Sequence, residues 1–325
     1  MQDGQRRIAL ALGATGGIGG AVSEALIARG WQVRALVRDP ARAARHWRDR
    51  GAAPQWIGGD ALQRAAVVEA AAGADALVHA VNPPGYRGWS HLVVPMLENS
   101  IAAAEASGAR VALPGTIYNF DPAAEPVISE DTPQAPKGRK GMIRVALERR
   151  LEAAAQAGVR SLVLRAGDFF GPRPGSSWFA QAMVRRGRPL RFVLNPGRRG
   201  VGHSYAYLPD LAAAFAALLE REASLRPFER LQFSGHWDAD GRQMIAAIAR
   251  AAGRPRLPVL SFPWWLTHLA APFSESLREM REIRPFWRHP VRLDNRRLTA
   301  LLGTEPHTPL DKAVAATLAG LGCLP

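Results

Sequence analysis

The sequence predicts an α/β protein built on a doubly wound parallel sheet, with a second, smaller domain at its C-terminal end. Strands alternate with helices over the first 170 residues, a glycine-rich turn follows the first strand, and proline, glycine and aromatic residues become more frequent after residue 170. Such alternation is typical of βαβ units and hence of a parallel sheet. We expect a first domain over residues 1–170, which also receives elements from 190–222, and a partly discontinuous second domain over 171–325.

The individual elements follow from hydrophobic periodicity and from helix start and stop signals. Gly30 marks the end of the first helix, Asp39 and Pro40 the start of the second, and Asp210 is a plausible N-cap of a late helix. Strands are predicted at 7–12, 31–37, 54–59, 75–81, 110–115 and 159–167, and helices at 17–29, 40–50, 62–72, 91–108, 139–157 and 208–222.

The composition sets the class of protein. Hydrophobic residues make up 47%, which allows a sizeable core, and the single cysteine, Cys323, excludes an intramolecular disulfide. No export signal is recognised, and the apolar run FPWWLTHLAAPF is broken by Pro263, His268 and Pro272, so it is too short to span a membrane. These features predict a cytoplasmic protein. Trp264 and Trp265 are interpreted as core or interface residues.

Positive charge dominates, with 42 Lys plus Arg against 28 Asp plus Glu, a net charge of +14. Only Lys137, Lys140 and Lys312 are lysines, which suggests a coding bias towards arginine. The basic residues are scattered without the interleaved aromatic residues of single-strand binders. The sequence therefore predicts no specific nucleic-acid partner, but an anionic small-molecule substrate is compatible with it, and so is a homodimer.

A glycine-rich turn, ALGATGGIGGAV (11–22), follows the first strand and opens a helix. Glycines spaced G-x-x-G-x-x-G form the turn, let the backbone approach a pyrophosphate, and let the helix pack on the strand. The free N–H groups of the helix start then bind phosphate. This predicts a dinucleotide site of the Rossmann type that comprises Gly13, Thr15, Gly16, Gly17, Ile18 and Gly19.

The end of the second strand, VRDP (37–40), bears on the choice of dinucleotide. An acidic residue there favours the ribose 2′-hydroxyl of NAD, whereas an arginine favours the 2′-phosphate of NADP. Because Asp39 is expected to cap the following helix, Arg38 is left for the phosphate, and we predict NADP in preference to NAD. Asp60 either faces the adenine or caps the next helix, and it can do both.

These segments resemble the short-chain dehydrogenase/reductase superfamily, in its extended and atypical branches. GATGGIG, VRDP, GGDAL, RAGDFFGP (165–172) and YLPDLA (207–212) match landmarks of that group, closest to NAD(P)-dependent epimerase/dehydratase or NmrA-like proteins. The resemblance implies a Rossmann domain, one nicotinamide dinucleotide and a C-terminal substrate domain. The cofactor-binding set that we predict at the strand ends continues with Ala80, Val81, Asn82, Pro114, Arg165 and Gly167.

The resemblance breaks at the usual catalytic residues. Active members carry Tyr and Lys four residues apart on the helix after the fifth strand, where this chain reads KGMIRVALE (140–148). Lys140 takes the place of the Tyr, Arg144 that of the Lys and Glu148 that of a following Glu, while Thr116 is slightly out of register for the usual hydroxyl. Lys140 is either a desolvated acid or base, which could also contact the cofactor, or a solvated surface residue. Arg144 either faces the nicotinamide or pairs with Glu148.

Other side chains are candidates for the substrate pocket. Tyr118 is a second candidate proton donor, or packs under the following loop. His203 is a general acid, a phosphate contact or a structural histidine, and Asp168 orders it or the cofactor's ribose. We also assign to the substrate site Trp178 and, in the loop NPPGYRGW (82–89), Tyr86 and Trp89, although this loop is alternatively a rigid proline-rich turn that needs no ligand. The histidines show no metal-ligand spacing, so we predict no metal.

Two functions remain open at this point. The first is an NADP(H)-dependent oxidoreductase or epimerase with a rearranged acid–base set, acting on a small molecule. The second is an NmrA-like sensor that binds NADP without turnover, which the loss of the tyrosine favours.

Overall fold

The computed structural model of the chain describes residues 6–83, 88–270 and 280–324. The chain forms two compact units, each assembled from three segments. The first unit contains the residues up to Gly115, Ala146–Leu164 and Ala212–Leu231. The second contains Thr116–Val145, Arg165–Leu211 and the residues from Gln232 onward.

The strands and helices are named here in chain order. The strands are β1 (Ile8–Leu12), β2 (Gln32–Val37), β3 (Gln55–Gly58), β4 (Ala76–His79), β5 (Arg110–Thr116), β6 (Val127–Ile128), β7 (Ser161–Ala166), β8 (Asp168–Phe170), β9 (Val193–Asn195), β10 (His203–Tyr207), β11 (Phe228–Phe233), β12 (His236–Asp238), β13 (Val259–Ser261) and β14 (Arg292–Leu293). The α-helices are α1 (Gly17–Ala28), α2 (Pro40–Trp47), α3 (Arg64–Ala70), α4 (Trp89–Ser107), α5 (Arg139–Gln156), α6 (Leu208–Glu220), α7 (Gln243–Ala251), α8 (Trp264–Ala270), α9 (Arg296–Leu302) and α10 (Leu310–Gly320).

The main sheet has seven strands in the order β11-β7-β5-β4-β1-β2-β3. Strand β1 pairs in parallel with β2 and β4, β2 with β3, and β4 with β5. The strand order reverses beside β1, as in doubly wound folds, and ligands of such sheets bind at the carboxyl ends of the strands near that point. This confirms the predicted fold class.

Three smaller sheets belong to the second unit. One has the order β12-β10-β8, in which β10 runs parallel to β8 and antiparallel to β12. The other two are the parallel pairs β9–β13 and β6–β14. Strands from distant parts of the chain thus hold this unit together.

Each unit has a hydrophobic core of its own. In the first, Leu10, Leu12, Leu36 and Leu77 are almost fully buried between the sheet and its helices. In the second, the aromatic side chains of Phe120, Phe170, Phe179, Tyr205 and Trp287 pack in one cluster with aliphatic residues. No helix within the described residues is long and apolar enough to cross a membrane.

The helix-start predictions have different outcomes. Asp39 is the N-cap of α2, because its Oδ1 accepts the N–H of Arg42 at 2.9 Å, with Pro40 next to it. The prediction for Asp210 is wrong, since α6 already begins at Leu208. Asp210 lies in the first turn instead, where its carboxylate accepts the backbone N–H and the hydroxyl of Thr308 at 2.6 and 2.7 Å.

A histidine in the core of the second unit has an unusual environment. His236 is 7% exposed, and its ring lies 5.5 Å from that of Phe170 and 4.5 Å from that of His307. Within the described part of the chain, its Nε2 has no hydrogen-bond partner. Burial, and then the charge of His307, lower the pKa of His236 to about 4, although Asp210 acts in the opposite direction.

Mild acid is therefore expected to destabilise the fold through His236. The unfolded chain binds a proton at this imidazole below about pH 6.5, whereas the folded protein does so only near the lowered pKa of about 4. The resulting stability is fully present above pH 6.5 and is lost as the pH falls towards 4, by at most about 3 kcal/mol. Urea unfolding at a series of pH values measures this loss.

The matched variant is His236→Phe, which keeps an aromatic ring and removes the titrating group. Its free energy of unfolding should fall less steeply between pH 6.5 and 4. Glu305, whose pKa is raised by burial, contributes with the opposite sign but is present in both proteins. Identical pH dependence of wild type and variant would show that His236 is not responsible.

Candidate functional site

The turn between β1 and α1 has glycines at the positions where a side chain cannot fit. Gly13 has φ +90°, and a Cβ there would lie 2.5 Å from the carbonyl oxygen of Ala80. A Cβ on Gly19 would lie 2.3 Å from the carbonyl oxygen of Gly13. The turn is thus pressed against the end of β4 and against the first turn of its own helix. Gly13 and Gly19 are required by the backbone itself.

The start of α1 is open to an anion. Its N-cap is Gly16, and the first turn, all of which is described, carries no acidic side chain and no side-chain cap. Thr15 and Gly16 are exposed, while Gly17 and Ile18 are half-buried. Unsatisfied N–H groups at a helix start attract phosphate, and no side chain among the described residues caps them here.

At the end of β2, the two charged residues have separate environments. Asp39 is engaged in capping α2, and Arg38 is exposed beside it. Asp60 accepts the backbone N–H of Leu62 at 3.0 Å and so shapes the turn before α3. It is not the N-cap of that helix, which is Gln63. A contact of Asp60 with adenine stays a prediction.

The cofactor-binding residues that we predict at the strand ends differ in burial. Ala80 is half-buried and donates its N–H to the carbonyl of Leu12 at 2.9 Å, while Asn82 is exposed and Pro114 is buried in β5. Val81 is half-buried. The predicted substrate contacts of Tyr86 and of the Trp89 side chain lie outside the described parts of the structure.

In the second unit, three of the predicted residues form a hydrogen-bonded chain. The hydroxyl of Tyr118 donates to Oδ1 of Asp168 at 3.3 Å, and the other carboxylate oxygen lies 2.8 Å from Nε2 of His203. Nδ1 of His203 lies 3.3 Å from the carbonyl oxygen of Phe286. Asp168 and His203 are 9% and 5% exposed, whereas Tyr118 is only half-buried. The structure thus brings together residues 118, 168 and 203, which are far apart in the sequence.

Aromatic rings surround this chain of hydrogen bonds. The indole of Trp287 stacks on the imidazole of His203, with ring centroids 3.7 Å apart and planes within 7°. Trp178 contacts the rings of Trp287 and Trp264 at 5.6 Å, so the predicted substrate residue belongs to the same aromatic wall. Arg284 lies over Trp264, 5.9 Å from the ring centroid. Burial, with Arg288 and Arg281 nearby, lowers the pKa of the Arg284 guanidinium.

Helix α5 approaches the same chain of hydrogen bonds through a glycine. A Cβ on Gly141 would lie 2.1 Å from the carbonyl oxygen of Tyr118, so only glycine allows this close contact. Lys140, one residue earlier, is 6% exposed, and its backbone N–H donates to Glu282 Oε2 at 3.2 Å. Lys140 is therefore not a solvated surface residue. Lys137, in contrast, has a side chain that is 74% exposed.

The remaining predicted residues have evident packing roles. Arg165 is fully buried, with its guanidinium 5.0 Å from the ring centroid of Phe120. A Cβ on Gly167 would lie 2.2 Å from the carbonyl oxygen of Ser204, so this glycine allows β8 and β10 to pair. The cofactor contacts predicted for both residues are untested. No cluster of metal-ligating side chains occurs within the described residues.

Sequence reasoning missed several contributors to this site. Phe286 and Trp287 lie more than 80 residues after His203 in the sequence, and no local pattern marks them as its neighbours. The Gly141 contact carried a weak signal, since a glycine in the first turn of a helix needs a packing reason. Thr116 also has a local role, since its hydroxyl oxygen accepts the N–H of Tyr118 at 3.3 Å.

The sequence resembles those of known proteins. A family model described as NAD(P)H-binding matches residues 13–128. A Streptomyces protein, "3-diazoavenalumate denitrifying reductase", is 31% identical over 284 residues, which cover 80% of this chain and 88% of the relative.

Solved structures with the same fold include two that contain NAD+. The Bordetella bronchiseptica enzyme WbmH in complex with NAD+ has a TM-score of 0.69 at 18% identity, over 97% of this chain and 98% of the other. UDP-glucose 4-epimerase from Bifidobacterium longum, in complex with NAD+ and UDP, has a TM-score of 0.72 at 16% identity, over 96% and 97%. At these identities the likeness concerns the fold. The family model supports binding of a pyridine nucleotide, and contact of the open turn at α1 with its phosphates stays a prediction.

Replacement of Gly19 by alanine should weaken binding of NADPH and NADH alike. The new Cβ must displace the backbone of Gly13 and with it the N–H groups that face the phosphates, so we expect dissociation constants at least about tenfold higher. Calorimetric titration measures both. Gly58→Ala is the matched control, because its Cβ would meet only Pro40, at an ordinary 3.7 Å. Unchanged affinity in a folded Gly19→Ala protein would contradict this assignment.

Proposed function

The chain belongs to the extended and atypical branches of the short-chain dehydrogenase/reductase superfamily, and we propose that it is an NADP(H)-dependent reductase of a small aromatic anion that carries a diazo group. When bound, NADPH supplies a hydride. The single observation that carries the proposal is the 31% identity to the Streptomyces reductase over 80% of this chain, in which the dinucleotide turn is intact. A reductase of this kind uses the hydride without the usual proton donor on helix α5.

The substrate class is inferred from the second unit and from the Streptomyces relative. The rings of Trp178 and Trp264 are only half-buried and contact each other, which suits them to pack against a flat ring. Arg284, with Arg281 and Arg288 near it, favours a negative charge on the ligand. The relative's name specifies a diazo compound and its denitrification, and its likeness to this chain extends well beyond the nucleotide-binding region.

Reduction of a diazonium group fits the missing tyrosine. A hydride added to an aryl diazonium yields the arene and dinitrogen, so that the leaving group is neutral and no alkoxide forms. Carbonyl reduction, in contrast, makes an alkoxide that needs a proton donor in the transition state. Hydride reduction of a diazonium group therefore does not require the proton donor that the tyrosine on α5 usually supplies at the reacting atom.

Two groups are candidates for any remaining acid–base work. Tyr118 lies at the end of β5, and Lys140 is buried at the start of α5 next to Gly141, which contacts the Tyr118 backbone. We propose both as catalytic residues. Lys140 also stays a proposed cofactor contact.

The preference for NADP over NAD is part of the proposal. Because Asp39 caps α2, Arg38 is the charged residue at the end of β2 that can bind a 2′-phosphate. Arg38→Ala should weaken NADPH binding by about 10- to 100-fold, the equivalent of about 1.5–3 kcal/mol for one charge-assisted contact. NADH binding should change little.

Arg42→Ala is the control for this experiment, because it removes the same charge from the first turn of α2 and keeps the N–H that Asp39 accepts. Fluorescence titration of the wild type and both variants with both cofactors gives the six dissociation constants needed. Equal affinity of the wild type for NADPH and NADH, or an Arg38→Ala protein that still prefers NADPH, would contradict the proposed cofactor.

The reaction itself is tested with two probes, a carboxylated benzenediazonium and its analogue with a hydroxyl ortho to the diazonium group. The wild type with NADPH should oxidise the cofactor and release dinitrogen in equal amounts, measured by loss of NADPH absorbance and by mass spectrometry of the gas. NADPH binding without oxidation by either probe would reject the proposed reaction and favour the NADP sensor. Oxidation with carbonyl compounds alone would point to a different reductase.

A further inference from the structure

We propose that Tyr118 is the catalytic proton donor of this protein, and that the buried pair Asp168–His203 stores the proton that replenishes it. The proposal rests on the proposed reductase function, because a proton is needed where the incoming hydride makes a substrate atom basic. Asp168 and His203 act through Tyr118 and are positioning and supply residues.

The proton count follows from the partners of the imidazole. A backbone carbonyl can only accept, so Nδ1 of His203, 3.3 Å from the carbonyl oxygen of Phe286, carries a hydrogen. Nε2 lies 2.8 Å from Asp168 Oδ2, and one proton must lie between these two atoms. It belongs either to an imidazolium beside a carboxylate or to a carboxylic acid beside a neutral ring. Both descriptions give the pair the same total of two protons and no net charge.

The surroundings favour retention of this proton. The face of Trp287 stacks on the imidazole at 3.7 Å and attracts a cation. Asp168 and His203 are both at least nine-tenths buried. If either ring nitrogen lacked its hydrogen, its lone pair would face an oxygen atom, which is the Asp168 carboxylate at 2.8 Å for Nε2 or the Phe286 carbonyl at 3.3 Å for Nδ1. This geometry favours a hydrogen on both nitrogens.

Neighbouring ionisable groups do not compete for the stored proton. Tyr205 packs edge-on against His203 at 4.8 Å, and its pKa is raised by burial and by Asp238 and Asp168, so it stays neutral. The carboxylate of Asp238 accepts the N–H groups of Arg242 and Met244 and is engaged at the start of α7. Among the described groups that face the pair, Tyr118 is the one that is joined to it by a hydrogen bond and is only half-buried.

The proton passes in two steps. Tyr118 gives its hydroxyl proton to the substrate atom that hydride addition makes basic, such as an oxygen conjugated with a diazo group. Asp168 then takes the Nε2–Oδ2 proton, its carboxyl group turns about the Cβ–Cγ bond so that the protonated oxygen faces the phenolate oxygen, and the proton is given to that oxygen. This leaves a neutral His203 with Nδ1–H still donated to Phe286 and an ionised Asp168, and water then reloads the pair. The 3.3 Å Tyr118–Asp168 bond is long enough for the hydroxyl to turn towards substrate.

The stored proton is tested without any substrate. In protein at pH 7 labelled in the histidine rings and the aspartate carboxyls, nitrogen and carbon NMR shifts count the protons on His203 and Asp168. Two protons are expected in the wild type and in Tyr118→Phe, and one in Asp168→Asn, whose amide cannot take up the shared proton. A single proton on the wild-type pair would overturn the proposal.

The donor is tested with the two diazonium probes and NADPH. With the hydroxylated probe, whose oxygen becomes more basic as dinitrogen leaves, Tyr118→Phe should lower kcat by about 10²–10⁴ and change KM little. With the probe that lacks the hydroxyl, the loss should be much smaller. Asp168→Asn should lower kcat and shift its pH profile, which a purely structural defect would not do. Tyr207→Phe, the same change in the core of the same unit, is the control.

The other candidate donor provides the decisive contrast. Lys140→Arg keeps the charge but cannot release a proton near neutral pH. If Lys140→Arg loses more activity than Tyr118→Phe with the hydroxylated probe, Lys140 is the donor and the proposal is overturned. If the wild type turns over neither probe, the proposed function fails, and the proton count alone then decides for or against the proton store.

Discussion

The arrangement of the second unit depends on one backbone contact, between the start of α5 and the end of β5. A Cβ on Gly141 would come within 2.1 Å of the carbonyl oxygen of Tyr118, so the helix can lie where it does only because this position has no side chain. The contact fixes the backbone of Tyr118, whose hydroxyl then meets Asp168, and it places Lys140 in a buried position beside it. A helix that approached less closely would leave more room for solvent between these groups.

The same contact offers a physical account of the lost tyrosine. In most members of the superfamily the phenol is expected from the helix after the fifth strand, one turn before a lysine, whereas this chain has Lys140 and Arg144 there. In the mechanism that we propose, the phenol is that of Tyr118, which follows β5, and the carboxylate of Asp168 and the imidazole of His203 lie behind it. When dinitrogen is the leaving group, the atom that accepts the hydride needs no proton, and a conjugated oxygen elsewhere on the substrate becomes basic instead. A proton donor located away from the position of the usual tyrosine is consistent with this chemistry.

The sequence predicts this fold well because the first unit is determined by local patterns. The turn at Gly13–Gly19, the cap at Asp39 and the alternation of strands and helices each depend on residues within one turn of each other. The hydrogen-bonded chain is different, because Tyr118, Asp168, His203 and Phe286 meet only through pairing of β8 with β10 and through packing of a segment more than 80 residues away. The role of Asp210 could not be predicted for the same reason. Its partner Thr308 is remote in the sequence, and the local pattern pointed only to a helix N-cap.

We propose that this chain transfers a hydride and does not merely sense a dinucleotide. The most direct measurement is a single turnover of protein loaded with NADPH, mixed with the hydroxylated diazonium probe, using cofactor deuterated at C4 on one face or the other. If a hydride is transferred, oxidation is expected to be slower with deuterium on one face only, because the transferred hydrogen comes from a single side of the bound nicotinamide. Oxidation that is insensitive to deuterium on either face, or no oxidation of bound NADPH, would contradict this proposal.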